Sequence, residues 1–89
     1  MKKREALFGV VVLNRGSVYV GDVAVENCWC VITNTKRIES WGEVNALWQL
    51  AMMGPQNGTS FEATGTVRVL VQAIASIFDT DAEKWRIKV

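Results

Sequence analysis

The chain has 89 residues, of which 49% are hydrophobic and 21% charged, with a formal net charge of +1. A chain this short hides about 60–65% of its unfolded surface, which supports one core and excludes two, and its apolar share excludes disorder. The balanced charge excludes a strong field for nucleic acid, and no apolar run reaches the roughly 20 residues of a membrane-spanning helix. We therefore expect a single domain, residues 1–89, with no place in a membrane.

The first third of the chain predicts a three-stranded antiparallel meander. Leu7–Leu13 is rich in valine, Ser17–Val23 alternates valine with small or polar residues, and Asn14–Gly16 between them is typical of a hairpin loop. A third run, Cys28–Thr33, again mixes β-branched and aromatic residues. The preceding Val25–Asn27 is predicted to form the polar turn between the second and third strands.

A helix is predicted after a polar break at Asn34–Arg37. Gly54 and Pro55 then form a strong helix stop, because glycine accepts the left-handed cap and proline cannot continue the helix. The helix, at about 43–53, has apolar residues at helical spacing, namely Val44, Leu47, Trp48, Leu50 and Ala51.

The region from Gly54 to Gly65 is predicted to be the longest loop. Asn57–Gly58 favours a tight turn there, and Ser60–Glu62 is compatible with a short strand. The apolar residues of the following segment, Thr66–Phe78, would line one face of a helix or one face of a strand equally well. Their periodicity therefore does not decide between helix and strand.

The end of the chain is predicted to be a strand. Lys84–Val89 alternates apolar and cationic residues, although Asp81–Glu83 is also a suitable start for a last helical turn. The predicted fold class is α+β and mainly β: a small antiparallel sheet or partly open barrel with one central helix.

From about Leu13 to Trp85 the chain resembles a group of small, uncharacterised proteins of tailed bacteriophages and prophages. Their pattern combines an Arg-Gly-x-Val-x-Val-Gly hairpin, a Trp-Gly before a short helix, Leu-Ala-x-x-Gly-Pro, a Thr before an acidic residue, and a Gly-x-Val strand. The matching residues are Arg15, Gly16, Val18, Val20, Gly21, Trp41, Gly42, Leu50, Ala51, Gly54, Pro55, Thr59, Glu62, Gly65 and Val67.

This chain departs from the pattern at three positions. Ala46 and Trp48 replace glycines before the helix, and Leu70 replaces a proline after the Gly-x-Val strand. Because proline inside a helix costs about 3 kcal/mol, the proline of the relatives favours two strands with a bend near Leu70 over one helix in Thr66–Phe78.

The residue inventory argues against catalysis. The chain has no histidine, the commonest general base near neutral pH and the commonest zinc ligand. Cys28 and Cys30 would share one strand face, are spaced too closely for an ordinary disulfide, and lack Cys-x-x-Cys spacing, so they are interpreted as core thiols of a reducing, cytoplasmic setting. We predict no metal, no cofactor and no enzymatic activity.

The candidate binding residues fall into three groups, each with a structural alternative. The loop residues offer amides and a hydroxyl to a ligand, or form only a helix stop and a turn. The tryptophans would stack on a ligand, or anchor the core or an interface. The basic residues, with Lys84 and Lys88, would contact phosphates, or protect an end strand from aggregation. The candidates are Pro55, Gln56, Asn57 and Thr59 in the loop, Trp41 and Trp48, and the basic Lys36, Arg37 and Arg86.

Two functions of different classes are predicted. In the first, the protein is a phage accessory factor that acts in the host cytoplasm and counters host defence. It would bind a host protein or a small anionic ligand, such as a nucleotide signal, in a pocket between identical subunits. In the second, it is a self-assembling structural subunit whose exposed tryptophans and strand edges make a symmetric interface. An enzyme ranks third.

Overall fold

The structure, a computed structural model, describes residues 7–41, 47–56 and 58–86, and gives only the backbone of Trp41, Leu47, Trp48 and Arg86. It contains five strands, two short helices and one 3₁₀ turn. These are β1 (Leu7–Leu13), β2 (Val18–Glu26), β3 (Trp29–Trp41), α1 (Leu47–Met53), β4 (Thr59–Leu70), the 3₁₀ turn (Val71–Ala73), β5 (Ile74–Asp79) and α2 (Ala82–Arg86).

All five strands belong to one antiparallel sheet in the order β4-β3-β2-β1-β5. The predicted mainly β fold with an antiparallel meander is confirmed, and the ambiguous segment is indeed two strands, separated by the 3₁₀ turn after Leu70. The predicted helix is confirmed over Leu47–Met53, whereas residues 43–46 lie outside the described part of the chain.

The turn between β2 and β3 lies later than predicted. Val25 and Glu26 belong to β2, where they pair with Cys30 and Trp29 of β3. The turn itself is formed by Asn27 and Cys28, because asparagine tolerates the left-handed φ of 59° found at Asn27.

The polar run Asn34–Arg37 does not end the third strand, contrary to the prediction. It forms a bulged stretch of β3, which continues to Trp41. Asn34 has φ 53°, and the hydroxyl of buried Thr35 donates to the carbonyl of Ile32 at 2.6 Å. Polar side chains that bond nearby backbone also favour turns, which explains the error, but here the extra residue is absorbed as a bulge that bends the strand.

The predicted loop from Gly54 to Gly65 is shorter than expected. β4 begins at Thr59 and runs through Gly65, whose φ of 75° marks an irregularity in its pairing with β3. The predicted short strand at Ser60–Glu62 is therefore part of a twelve-residue strand.

The sheet is strongly coiled, because its two edge strands are joined by only three residues. From Leu70 to Ile74 the chain spans at most about 14 Å, whereas four strand spacings of a flat sheet measure about 19 Å. The 3₁₀ turn is tied to both hairpins: the Val71 N–H donates to the Cys28 carbonyl at 2.9 Å, and the Asn14 N–H to the Ala73 carbonyl at 2.8 Å.

The core consists of one hydrophobic cluster on each face of the sheet. Both described helices pack on the first face, where Leu50, Ala51 and Trp85 meet strand residues such as Val10 and Val20. The second cluster lies on the opposite face of the sheet and contains Val11, Val23, Cys30 and Ile32. No helix in the described ranges is both long and apolar enough to cross a membrane.

α2 holds the C-terminal end of α1 against the sheet. The Trp85 indole N–H donates to the Thr80 hydroxyl at 2.9 Å, and that hydroxyl donates to the Ala51 carbonyl. The Lys84 ammonium donates to the Met52 carbonyl at 2.7 Å. The last carbonyls of a helix have no partner within the helix, so these bonds satisfy groups that would otherwise need water. Trp85 is the largest fully buried side chain in the described ranges.

The strand predicted over Lys84–Val89 is wrong for its described part, residues 84–86, which are helical; residues 87–89 lie outside the described ranges. The alternative start at Asp81 is the observed one, because the Asp81 carboxylate accepts the Glu83 N–H at 3.0 Å and caps α2. A six-residue alternation is too short a pattern to outweigh that cap.

Replacing Trp85 by phenylalanine is expected to lower the free energy of unfolding by about 2 kcal/mol, because it removes the partly buried indole bond to Thr80. Trp29→Phe is the matched control, since Trp29 is 40% exposed, and its change should stay within about 0.5 kcal/mol. Urea denaturation of the dilute, monomeric protein measures both values. Equal losses for the two variants would contradict the role assigned to Trp85.

Candidate functional site

The predicted loop residues mainly bond to one another. The Gln56 N–H donates to the Thr59 hydroxyl at 2.9 Å, and the Thr59 N–H donates back to the Gln56 carbonyl at 3.0 Å. The Gln56 side-chain amide donates to the Gly54 carbonyl at 3.0 Å. Pro55 is half-buried in the same turn, and Asn57 lies outside the described residues. These bonds match the alternative interpretation of the segment as a helix stop and turn.

The predicted aromatic candidates are placed only by their backbones. Trp41 ends β3 and pairs with Thr59 of β4, while Trp48 is in the first turn of α1. Arg86 is the last residue of α2. The side chains of these three residues lie outside the described part of the structure.

The predicted basic residues do not form one stripe. Lys36 pairs with Val20, whose side chain is in the helix-covered cluster, while its neighbour Arg37 pairs with Tyr19, which packs on the other cluster. Arg37 also lies 3.9 Å from Glu62, an exposed pair of little energetic weight. Neither residue is on an edge strand, so the edge-protecting alternative is also wrong for them.

Lys36 instead contributes to a cleft between α2 and the bulge of β3, which we call the α2 cleft. Its volume is about 320 Å³, at the lower end of the range of small-molecule sites. The lining residues come from β1, β2, β3 and α2, and are Phe8, Asp22, Asn34, Lys36, Ala82 and Trp85.

The polar wall of the α2 cleft is built by the bulge. The left-handed conformation of Asn34 lets its side-chain amide donate to the Asp22 carboxylate at 3.2 Å, which orients that carboxylate. Within the described ranges, the half-buried Lys36 ammonium has neither an ion pair nor a hydrogen bond. Phe8 and Trp85 supply the aromatic part of the lining. The cleft thus combines a cation that has no partner in the described ranges, an oriented carboxylate and an apolar wall.

Of these residues, only Lys36 is a candidate from the sequence. Phe8, Asp22 and Trp85 are far apart along the chain, and they meet only because β1 pairs with β2 and because α2 folds back over the sheet. The polar composition of Asn34–Arg37 signals irregular backbone, but nothing local indicates that the irregularity opens a cleft.

A second, more open depression of about 510 Å³ lies beside the first hairpin. It combines Arg15 and Ser17 with Arg37 and Glu39 of β3. Because Arg37 lies 3.9 Å from Glu62 and the depression is more open to solvent, we consider it a weaker anion site than the α2 cleft.

The two cysteines differ in their surroundings, which corrects the prediction that they share one face. Cys28 is exposed in the β2–β3 turn, and Cys30 is fully buried in β3. Burial raises the pKa of the Cys30 thiol above its usual value. Only Cys30 is a core thiol, and no group of three histidine, cysteine, aspartate or glutamate residues in the described ranges is arranged to hold a metal ion.

Comparison with known proteins adds no further constraint on the site, since no protein-family model, no curated protein and no solved structure matches this chain.

Iodoacetamide is expected to modify the folded protein once, at Cys28. Cys30 should stay unmodified, because it is inaccessible and its raised pKa lowers its thiolate fraction at pH 8. Mass spectrometry of the native protein, of the same protein in urea, and of Cys28→Ser measures this difference. Equal labelling of both thiols in the folded protein would show that the Cys30 environment is described wrongly.

Proposed function

We propose that the protein acts by binding rather than by catalysis, and that it holds a small anionic ligand, a nucleotide or cyclic nucleotide, in the α2 cleft. The observation that carries this proposal is the Lys36 ammonium, which lines the cleft without a carboxylate partner in the described ranges. A cation that makes no ion pair, in a partly enclosed cleft, attracts an anionic group more strongly than an exposed cation does, and the Asp22 carboxylate in the same lining offsets part of that attraction.

The other residues of the cleft favour a ligand that also carries hydrogen-bond donors. Asp22 keeps acceptor capacity beyond its bond from Asn34, which suits a ribose hydroxyl or an exocyclic amine. Phe8 offers apolar surface to a ring. A nucleotide combines an anionic end, hydroxyl donors and a flat ring, and so uses all three features.

The resemblance to phage proteins predicted from the sequence would give this activity a biological setting. We propose that the protein works in the cytoplasm of the infected host, where capture of a nucleotide signal would counter host defence. Capture requires only affinity and enough copies of the protein, so it is compatible with a site that has no catalytic group. A host protein as the partner is the alternative form of the same proposal.

A panel of mono-, di- and cyclic nucleotides tests the proposal by thermal unfolding. A ligand present at 100 times its dissociation constant stabilises the folded state by about 2.7 kcal/mol, which raises the Tm of a domain this small by several degrees. We expect at least one nucleotide to produce such a shift.

Lys36→Gln should abolish the shift, because it removes the cation that meets the anionic group. Arg37→Gln is the matched control, since it removes one positive charge from the neighbouring residue on the opposite face of β3, and it should retain the shift. No shift with any nucleotide, or equal loss in both variants, would reject the nucleotide proposal and favour the host-protein alternative.

A further inference from the structure

The β2–β3 hairpin end of the sheet carries large apolar side chains that are exposed. Trp29 at the start of β3 is 40% exposed, and Leu70, its partner in β4, is 39% exposed. Val25 of β2 and Val71 of the 3₁₀ turn, at the same end, are exposed to a similar degree. Both described helices pack elsewhere, over the cluster formed by residues such as Val10.

The strand register places one acidic and one basic residue on the same face as Trp29. Glu26 pairs with Trp29, and Trp29 pairs with Leu70, so these three side chains form one row across β2, β3 and β4. Two residues further along β3, Val31 pairs with Arg68 in the next row of the same face. We call this surface the Trp29 patch, formed by the exposed residues Glu26, Trp29, Arg68 and Leu70, with the buried Val31 beneath its centre.

The charges of the Trp29 patch are self-complementary. Glu26 lies on the β2 side of the first row, and Arg68 lies on the β4 side of the second row, so they occupy diagonally opposite corners. A two-fold axis that passes between Trp29 and Val31, parallel to the sheet face and perpendicular to the line from Glu26 to Arg68, brings Glu26 of one copy over the partner's Arg68, and the reverse pair forms at the same time. Neither residue has an ion pair within its own chain among the described residues.

From this arrangement we propose that the protein forms a symmetric dimer through the Trp29 patch, with a second copy of this chain as the occupant. Trp29 and Leu70 supply the apolar centre, and the two Glu26–Arg68 pairs fix the orientation and flank that centre. Specific interfaces bury at least about 1,000 Å² in total and use roughly 20 residues a side, and the Trp29 patch offers only a few exposed side chains, so the dimer is expected to dissociate on dilution.

Charge reversal at the two corners tests the pairing. Glu26→Lys and Arg68→Glu, each alone, place like charges opposite each other twice in every dimer, and should raise the dissociation constant of the dimer more than 10-fold. The double variant Glu26→Lys/Arg68→Glu restores opposite charges and should recover the wild-type constant. Sedimentation equilibrium over a range of concentrations measures all three constants.

Glu39→Lys is the matched control, because it makes the same charge change on β3 outside the patch, and it should leave the dimer unchanged. Circular dichroism checks that each variant is folded. A monomeric wild type at every concentration, an assembly larger than a dimer, or a double variant as weak as the single variants would each overturn the proposal. A dimer that tolerates both single reversals would assign the interface to another surface, such as the β5 edge.

Discussion

The hydrogen bonds from Trp85 to Thr80 and from Thr80 to the Ala51 carbonyl join the end of the chain to its middle. They connect α2 to α1 at the edge of the core, and the Lys84 bond to the Met52 carbonyl adds a second connection. α1 has seven residues in the described part of the chain, a length at which an isolated helix is unstable in water, so its stability depends on packing. Trp85 also packs on Phe61 of β4, with ring centroids 6.0 Å apart, and so connects both helices to the sheet.

The packing of Trp85 against the sheet also creates the α2 cleft. With Trp85 buried in the core, α2 lies beside the bulge of β3. The space between α2 and the bulge is lined by Lys36 and by Asp22 with its Asn34 partner. The bulge is equally necessary, because a regular strand would not place Asn34 in the left-handed conformation from which it reaches Asp22. The cleft thus depends on two features that are distant in sequence, a capped C-terminal helix and an irregular strand. The Trp29 patch depends on neither feature, since it follows from the register of β2, β3 and β4.

Much of the fold was predictable from local patterns, but the site was not. Alternating valines identify β1 and β2, and Gly54 with Pro55 ends the helix where the sequence predicts. The predictions were wrong where polar residues are compatible with two backbone conformations. Asn34 and Thr35 are typical of turns, yet they form a bulge. The end of the chain was mispredicted because the hydrogen bond of the Asp81 cap outweighs a short alternation. The α2 cleft could not be predicted, because its lining residues meet only through sheet pairing and the seating of Trp85.

Hydrogen exchange of the Trp85 indole N–H and the Gly54 amide tests this dependence most directly. The Gly54 amide donates to the Leu50 carbonyl at the end of α1, so it reports the opening of that helix. If Trp85 holds α1 on the sheet, both protons should exchange through one opening, with a free energy close to that of global unfolding. An indole proton that exchanges readily while the Gly54 amide and the β1 amides stay protected would contradict the account, because α1 would then be stable without α2.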